Sequence, residues 1–480
     1  MRLRAPVPPD PTTDDDWLAY LRARQLLHGL ISPNHGAQEA AGDVRARQMR
    51  RFDRFRRFMA AIGNPQDQFR VVHVTGTSGK GSTATMVARI LGAAGHRTGL
   101  VISPHLQSAT ERVQVDGRLI AGRAFLHEVE TALDAGDAWL RAHGEPGRLT
   151  YGETLVAAAF SRLARAGVEF AVVEVAAGGR FDLTNVVRSE VAVVTSIGAD
   201  HLATLGPTLR DVAWHKAGII DPGAQVVTGI ADPTLLAVVA GEAERVGARL
   251  VPREAGARSE ADTGPPGAFQ RENRRTALTI VDALRRNGVA IPEEAVVQGL
   301  AAAQLPGRFE WLATAAERPV RVLLDGAHNP DKMAALVRSL PVPARRAGRP
   351  VIVLGLIGSK DAAKVAAAVA PIAGAVVATE PRVLGKSAHR AARLAEIVRG
   401  QGFEGEIAEA AVPDSAIDIA LGIAGDRGVP VVVTGSLYLV GNVRERWFPT
   451  ESIVRQRTTW PATSSRATGE RSRSARAPSR

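Results

Sequence analysis

The sequence predicts an α/β protein with a larger N-terminal and a smaller C-terminal domain, and three observations carry that expectation. Short apolar runs at 71–74, 170–175 and 191–197 alternate with helical stretches, the pattern of parallel strands buried on both faces. Hydrophobic residues make up 45% of the chain but aromatic ones only 4%, as in helices and strands built from Ala, Val and Leu. Finally, 480 residues exceed what one hydrophobic core usually holds, at about 150 residues per domain.

Taken in order, residues 17–62 read as helical, with arginines and apolar residues interleaved from Met49 to Met59. This is an amphipathic surface helix whose arginine stems lie over the fold. Gly63-Asn64-Pro65 ends it. Val71-Val72-His73-Val74 then reads as a strand, 76–81 as a glycine turn and 83–94 as a helix stopped by Gly95. Further strands are expected at 98–102, 170–175 and 191–197 and a helix at 154–166, assembled as a helix-covered parallel sheet. Residues 256–266, rich in Gly, Ala, Pro and charge, read as a mobile loop.

The domain boundary is placed at 297–304, giving a first domain over 1–300 and a second over 301–450. The second holds five strand-like runs, at 320–324, 350–356, 375–379, 405–407 and 429–434, and no internal repeat is visible.

The formal charge is +11, and its distribution decides what it means. Residues 451–480 carry seven arginines against Glu451 and Glu470. Rich in Arg, Ser, Thr and Pro and without apolar periodicity, this stretch is expected to be a disordered, solvated tail rather than a nucleic-acid arm. With no cysteine, disulfides, thiolate metal sites and cysteine nucleophiles are excluded. The opening residues have no apolar core segment and no run of eighteen apolar residues exists, so a cytoplasmic protein is expected.

The strongest local signal is Gly76-Thr77-Ser78-Gly79-Lys80-Gly81-Ser82 between a strand and a helix. Glycines let backbone N–H groups turn toward phosphate oxygens, the helix N-terminus adds a favourable dipole, the lysine neutralises charge and the hydroxyl can hold Mg²⁺. It departs from a strict Walker A pattern, because Val74 stands at the first glycine and Gly81 separates lysine from serine.

Glu174 ends one strand ahead of Gly178-Gly179-Arg180-Phe181-Asp182-Leu183-Thr184-Asn185, and Asp200-His201 follows another. In open parallel sheets ligands collect beyond the carboxyl ends of strands, so the three motifs should converge on one crevice. Singly, Glu174 reads as a capping acid and His201 as a satisfied loop histidine; beside a phosphate loop they read as ligands of a divalent cation. Lys216, in His215-Lys216-Ala217-Gly218, would repel a metal and reads as a surface or phosphate-facing lysine. Asp325-Gly326-Ala327-His328-Asn329-Pro330 follows a strand directly; turn chemistry accounts for its Asp, Gly, Asn and Pro, not for its histidine.

Over residues 17–447 these motifs together resemble the folylpolyglutamate synthases and dihydrofolate synthases of the Mur ligase superfamily. The resemblance lies in HVTGTSGKGS at 73–82, SPHL at 103–106, ERVQVDG at 111–117, EVAAGGRFDLTN at 174–185, SIGADH at 196–201, HKAGII at 215–220, LPGRFE at 305–310, DGAHNP at 325–330 and TGSLYLVG at 434–441. It implies a P-loop Mur-ligase-type ATPase domain and a C-terminal Rossmann-like domain that closes over it.

By the same resemblance, Lys80 and the loop bind ATP, Ser82 and Glu174 serve one Mg²⁺ with Ser103 close by, and Glu174 and His201 serve a second. The matching lysine of the family is carbamylated, which would turn Lys216 into a carboxylate ligand. Asn273, Arg308, Asp325 and His328 match ATP contacts, while Arg180 and Asp182 lie in the stretch facing the folate. The reaction implied is phosphorylation of a folate's terminal carboxylate and attack by L-glutamate on the acyl phosphate, in a monomer with no nucleic-acid or membrane partner.

The chain departs from the family pattern at Ser78, at Ala176-Ala177 and at Tyr151-Gly152-Glu153. Two rivals remain at this point. One is a Mur-type ligase with another carboxylate substrate, against which Lys80-Gly81-Ser82 stands where a Lys-Thr-Thr ending is usual. The other is a nucleotide-binding regulator with a basic tail, which leaves HKAGII and DGAHNP unexplained.

Overall fold

The computed structural model describes residues 13–31, 43–252, 264–315, 319–341 and 348–462. The chain divides into two compact units, residues 1–306 with 334–339, and residues 307–333 with 340–480.

The first unit is built on strands β1 (Arg70–Thr75), β2 (Thr98–Val101), β3 (Val113–Val115), β4 (Arg118–Leu119), β5 (Phe170–Glu174), β6 (Ser189–Val194), β7 (Gln225–Thr228) and β8 (Arg249–Leu250). They lie in the order β4-β3-β2-β5-β1-β6-β7-β8. The six strands from β2 to β8 are mutually parallel, and the β3–β4 hairpin adds antiparallel on the β2 edge.

Alternate residues of one strand enter different cores, which is why these strands read as unbroken apolar runs. Val191 and Val193 pack with Val87, Ile90, Leu91, Ile280 and Leu284. Ala192 and Val194 pack on the other face with Ala213, Ala217, Val239 and Ala243.

The single helix expected over 17–62 is corrected. Its described parts are two helices, Thr13–His28 and Val44–Ala61. The first ends where Gly29 donates back to Gln25 O at 3.1 Å, glycine being the commonest residue at a helix end. The second ends as expected, with Gly63 and Asn64 both at positive φ before Pro65. Most of the loop expected at 256–266 lies outside the described residues.

The second unit carries β9 (Glu310–Ala313), β10 (Arg321–Leu324), β11 (Val351–Leu354), β12 (Ala375–Ala378), β13 (Glu406–Glu409) and β14 (Val431–Thr434) in the order β13-β12-β11-β14-β10-β9. All pair in parallel except β9, an antiparallel edge that the sequence reading missed. Four residues, the first of them shared with the LPGRFE motif, leave too short a period to recognise.

The disorder expected from residue 451 is also corrected. Thr450–Gln456 is a helix that buries Ile453 and Val454, and Trp460 Nε1 donates to Glu310 Oε1 at 3.0 Å. Those apolar and aromatic groups supply the burial that composition averaged over thirty residues concealed. Residues 463–480 lie outside the described part.

Candidate active site

The β1 strand feeds a helix, Lys80–Ala93, toward the β2 side, while its neighbour β6 leads on to β7 on the other side. Such a reversal opens a crevice beyond the carboxyl ends of the strands. The glycine loop and the segment after β6 meet there. Thr77 N–H donates to Ser196 O and Ser78 N–H to Ser196 Oγ, both at 2.9 Å. Thr195 Oγ1 donates to Ser78 O at 2.6 Å, and Gly198 N–H to Thr77 Oγ1 at 2.9 Å.

Two of the loop's N–H groups are therefore committed to the protein. Those of Gly79, Lys80, Gly81 and Ser82 precede the first intrahelical bond, Thr83 N–H to Gly79 O at 2.9 Å, and have no intrahelical acceptor. They are the donors an anion would meet. Gly79 sits at φ +85°, and a Cβ there would run into Asn273 Oδ1, so both conformation and space require glycine. Lys80 Nζ donates to Gly76 O at 2.9 Å, lying back along the loop.

Glu174 is buried at the end of β5 and accepts from Ser103 N–H at 3.0 Å. Its carboxylate overhangs the first helical turn, since a Cβ on Gly81 would lie 3.2 Å from Oε2. Ser103 Oγ is enclosed without a hydrogen-bond partner, as are Ser78 Oγ and Thr83 Oγ1. Gln270 Nε2 lies 3.5 Å from the buried Ser82 Oγ, and Asn273 Nδ2 donates to Gln270 Oε1 at 2.8 Å. Gln270 was missed in the sequence: one polar residue at the start of an amphipathic helix has no motif around it.

These donors suit Mg²⁺, which takes one or two carboxylates and completes its shell with water and substrate phosphates. Glu174 supplies the carboxylate, and the unpartnered Ser103 Oγ beside it is an oxygen waiting for a donor or an ion. No group of three or more His, Asp or Glu side chains among the described residues is placed to hold a metal by itself. His201 is half exposed at φ +57°, with Nε2 3.9 Å from Asp200 Oδ1.

Lys216 is buried near the end of the helix Leu209–Ala217. The turn after Glu174 is laced to this helix: Arg180 N–H donates to His215 O at 2.7 Å and Asn185 Nδ2 to Gly218 O at 3.1 Å. A Cβ on Gly179 would lie 2.7 Å from His215 O, so that close approach needs glycine. Burial, with Arg180 and Arg45 adding to it, pushes the His215 imidazole down to about 4, so it is neutral at pH 7.

Both expected folate-facing residues are engaged internally. Asp182 accepts from Ala177 N–H at 3.0 Å and from Thr184 Oγ1 at 2.6 Å. Arg180 donates to Glu242 at 2.8 Å and lies 4.1 Å over the Trp214 ring. Two further histidines, the buried His73 and the half-buried His105, were given no role in the sequence reading. His73 Nε2 is 3.0 Å from Thr184 Oγ1, His105 Nδ1 accepts from Arg112 Nε at 3.0 Å, and burial pushes each imidazole down to about 3.

In the second unit, Asp325 is buried at the end of β10 and accepts from Phe309 N–H and Ala327 N–H, each at 2.9 Å. Burial raises its carboxyl to about 6, while Arg308 and the two N–H donors pull the other way. Arg308 lies against the Gly326 backbone, where a Cβ would be 3.2 Å from Nη1. His328 Nδ1 is 2.7 Å from Gly326 O and its Nε2 is 3.1 Å from Lys332 Nζ. Arg308, Asp325 and His328 thus form one cluster.

The chain matches the Mur ligase middle domain over residues 74–253 and the Mur ligase glutamate ligase domain over residues 307–437. It is 30% identical over 459 residues to the dihydrofolate synthase/folylpolyglutamate synthase of Bacillus subtilis, covering 89% of this chain and 99% of that protein. Its fold is similar to that of Mycobacterium tuberculosis folylpolyglutamate synthase complexed with ADP and AMPPCP, with a TM-score of 0.76, 29% identity, and coverage of 90% of this chain and 99% of that one. A Yersinia pestis bifunctional folylpolyglutamate synthase/dihydrofolate synthase complexed with AMPPNP and Mn ion matches at a TM-score of 0.68 and 28% identity, over 82% of this chain and 93% of that one. With so nearly complete a match to relatives of one kind, and both Mur ligase domains in place, the chain belongs to the folylpolyglutamate synthase/dihydrofolate synthase family of Mur ligases.

Proposed function

We propose that the chain is an ATP-dependent ligase that joins L-glutamate to the terminal carboxylate of a folate. The observation that carries this reading is the β1–β6 crevice, where four N–H donors of the loop without an intrahelical acceptor, Lys80, the Glu174 carboxylate and the enclosed Ser103 hydroxyl lie on adjoining segments. Names of the relatives supply the substrate class.

In the first step an oxygen of the folate carboxylate attacks the γ-phosphorus of ATP, the β–γ bridging P–O bond breaks and ADP leaves with that electron pair. In the second, the amino nitrogen of glutamate attacks the acyl carbon, the C–O bond to phosphate breaks, and a γ-linked amide and inorganic phosphate result. The protein's work is positioning and charge neutralisation. The N–H groups from Gly79 to Ser82 and the Lys80 ammonium hold the phosphates, while Asn273 and Gln270 fix the loop from the helix beside it. Glu174, Ser82 and Ser103 are the residues for the divalent ion, which when bound neutralises and orients the phosphoryl oxygens.

His201 and a carbamylated Lys216 are assigned to a second ion, and Arg308, Asp325 and His328 to the nucleotide, on the strength of the family resemblance. Asp182 and Arg180 shape the turn next to the folate. Dihydropteroate is a second candidate acceptor, since both substrates present a pterin-borne carboxylate. All reagents are small molecules, so a monomer with no nucleic-acid partner suffices, and no helix among the described residues is long and apolar enough to cross a membrane.

Lys80→Ala tests the assignment. Glutamate-dependent ATP hydrolysis should fall by orders of magnitude while the fold persists; full activity would remove the loop from the mechanism.

A further inference from the structure

The helix Val44–Ala61 carries seven arginines and a single acid, Asp53. Several are spoken for: Arg54 by the buried Glu153 at 2.6 Å, Arg57 by Glu145 at 2.7 Å, Arg56 by Asp53 at 3.4 Å, and Arg45 by the Trp214 ring at 4.0 Å. Arg50 and Arg51 are exposed and have no carboxylate partner among the described residues. At 100° per residue, Arg47, Arg50, Arg51 and Arg54 fall within one arc of about 100° that rises about 10 Å along the axis.

That arc borders the substrate end of the sheet. Arg51 Nη2 is 3.4 Å from Thr150 Oγ1, the N-cap of the helix Tyr151–Arg165. This helix returns the chain to β5, so its N-terminus lies at the carboxyl end of the strands. A Cβ on Gly152 would meet Arg51 Nη2 at 3.3 Å and Leu183 at 3.2 Å. One turn away, Gln48 Nε2 donates to Thr204 O at 3.1 Å. Thr150, Leu183 and Thr204 belong to the segments that carry Glu153, Asp182 and His201.

The reaction proposed above makes its own product more acidic, because each γ-linked glutamate leaves one free α-carboxylate. We propose that Arg50 and Arg51 form a short track for internal α-carboxylates of a growing γ-glutamate tail. The track rests on the folate–glutamate reading and adds a chain-length preference to it. Neither arginine is among the residues assigned above to the nucleotide or the ion, so addition to a monoglutamate should not need them.

The test is steady-state kinetics with tetrahydrofolate acceptors bearing one, three and five glutamates, on wild type, Arg50→Ala/Arg51→Ala, and Arg51→Lys as a charge-keeping control. Exposed ion pairs change affinity by about two- to fivefold each. The double variant should therefore keep kcat/KM for the monoglutamate within about twofold and lose about 4- to 25-fold for the pentaglutamate. Arg51→Lys should stay near wild type, and the wild-type preference for long tails should fade with added KCl as screening shortens to about 8 Å. An unchanged ratio of penta- to monoglutamate activity, or an equal loss at every length, overturns the proposal. If the double variant instead loses binding of single-stranded RNA and keeps the wild-type length profile, the face serves nucleic acid and the track falls. Wild-type enzyme inactive on every folate would overturn the reading beneath it, and the track with it.

Discussion

Removing the Arg444 guanidinium should cost more than any other single truncation in the second unit. Arg444 is fully buried and donates from Nε to Glu310 Oε2 and from Nη2 to Glu310 Oε1, both at 2.9 Å, and from Nη2 to Thr459 O at 2.7 Å. Glu310 also accepts from Gly307 N–H at 2.8 Å and Trp460 Nε1 at 3.0 Å. Phe448 and Trp460 flank the guanidinium at 4.4 and 5.2 Å.

In Arg444→Met the carboxylate keeps two neutral donors but loses its counter-ion in a site closed to water. Breaking such a pair from one side costs about 3–5 kcal/mol. For a unit of roughly 150–250 residues, each kcal/mol moves the midpoint by about 2–4 °C, which gives about 6–20 °C. Differential scanning calorimetry of the whole chain reads this directly. Arg444→Met/Glu310→Gln removes the stranded charge as well and should recover part of the loss. A shift below about 2 °C for the single variant, or a double variant worse than the single one, would refute the account of the cage. The cage also holds the turn that carries Arg308, so Arg444→Met should raise the KM for ATP at temperatures where the variant is folded.

Other expectations follow from the same geometry. Because Asp325 is raised to about 6 by burial from an unfolded value near 3.9, the folded chain binds more protons than the unfolded one between those values. Its contribution therefore favours folding at low pH and is lost as pH rises through about 6. On the activity side, kcat/KM for ATP should fall below about pH 6 as the carboxylate that orders Phe309 and Ala327 protonates, and Asp325→Asn should abolish that acid limb of the pH profile. Gly79→Ala forces a Cβ into Asn273 at a positive φ, and isothermal titration should show ATP binding lost while the thermal midpoint changes by only about 1–3 kcal/mol worth of strain. Ser103→Ala removes an oxygen with no protein partner, so stability should hold while Mn²⁺ affinity, read by electron paramagnetic resonance with nucleotide present, weakens; unchanged affinity would take Ser103 out of the ion's surroundings.

Most of the parallel sheets was legible because β1, β5 and β6 are buried on both faces and so spell continuous apolar runs. The strands that escaped, β3, β4, β7, β8 and β9, are two to four residues long and lie at or near sheet edges, too short to leave a period. At the site, the loop and Glu174 were legible because strand ends and glycine turns announce themselves locally. Gln270 and the Glu310–Arg444–Trp460 cage were not: each depends on a partner 134 to 188 residues away in sequence, a contact that no local pattern encodes. Ser103 was reached only through resemblance, and its enclosed hydroxyl is the structural reason to keep it.

The central claim is coupling of ATP cleavage to a folate and glutamate, and phosphate release from Mg-ATP with L-glutamate measures it most directly. Tetrahydrofolate, dihydropteroate and no acceptor would be compared under identical conditions. Release stimulated by tetrahydrofolate is the predicted result, with stimulation by dihydropteroate adding the second activity. Release that is indifferent to both acceptors, from protein that still binds ATP, would contradict the account.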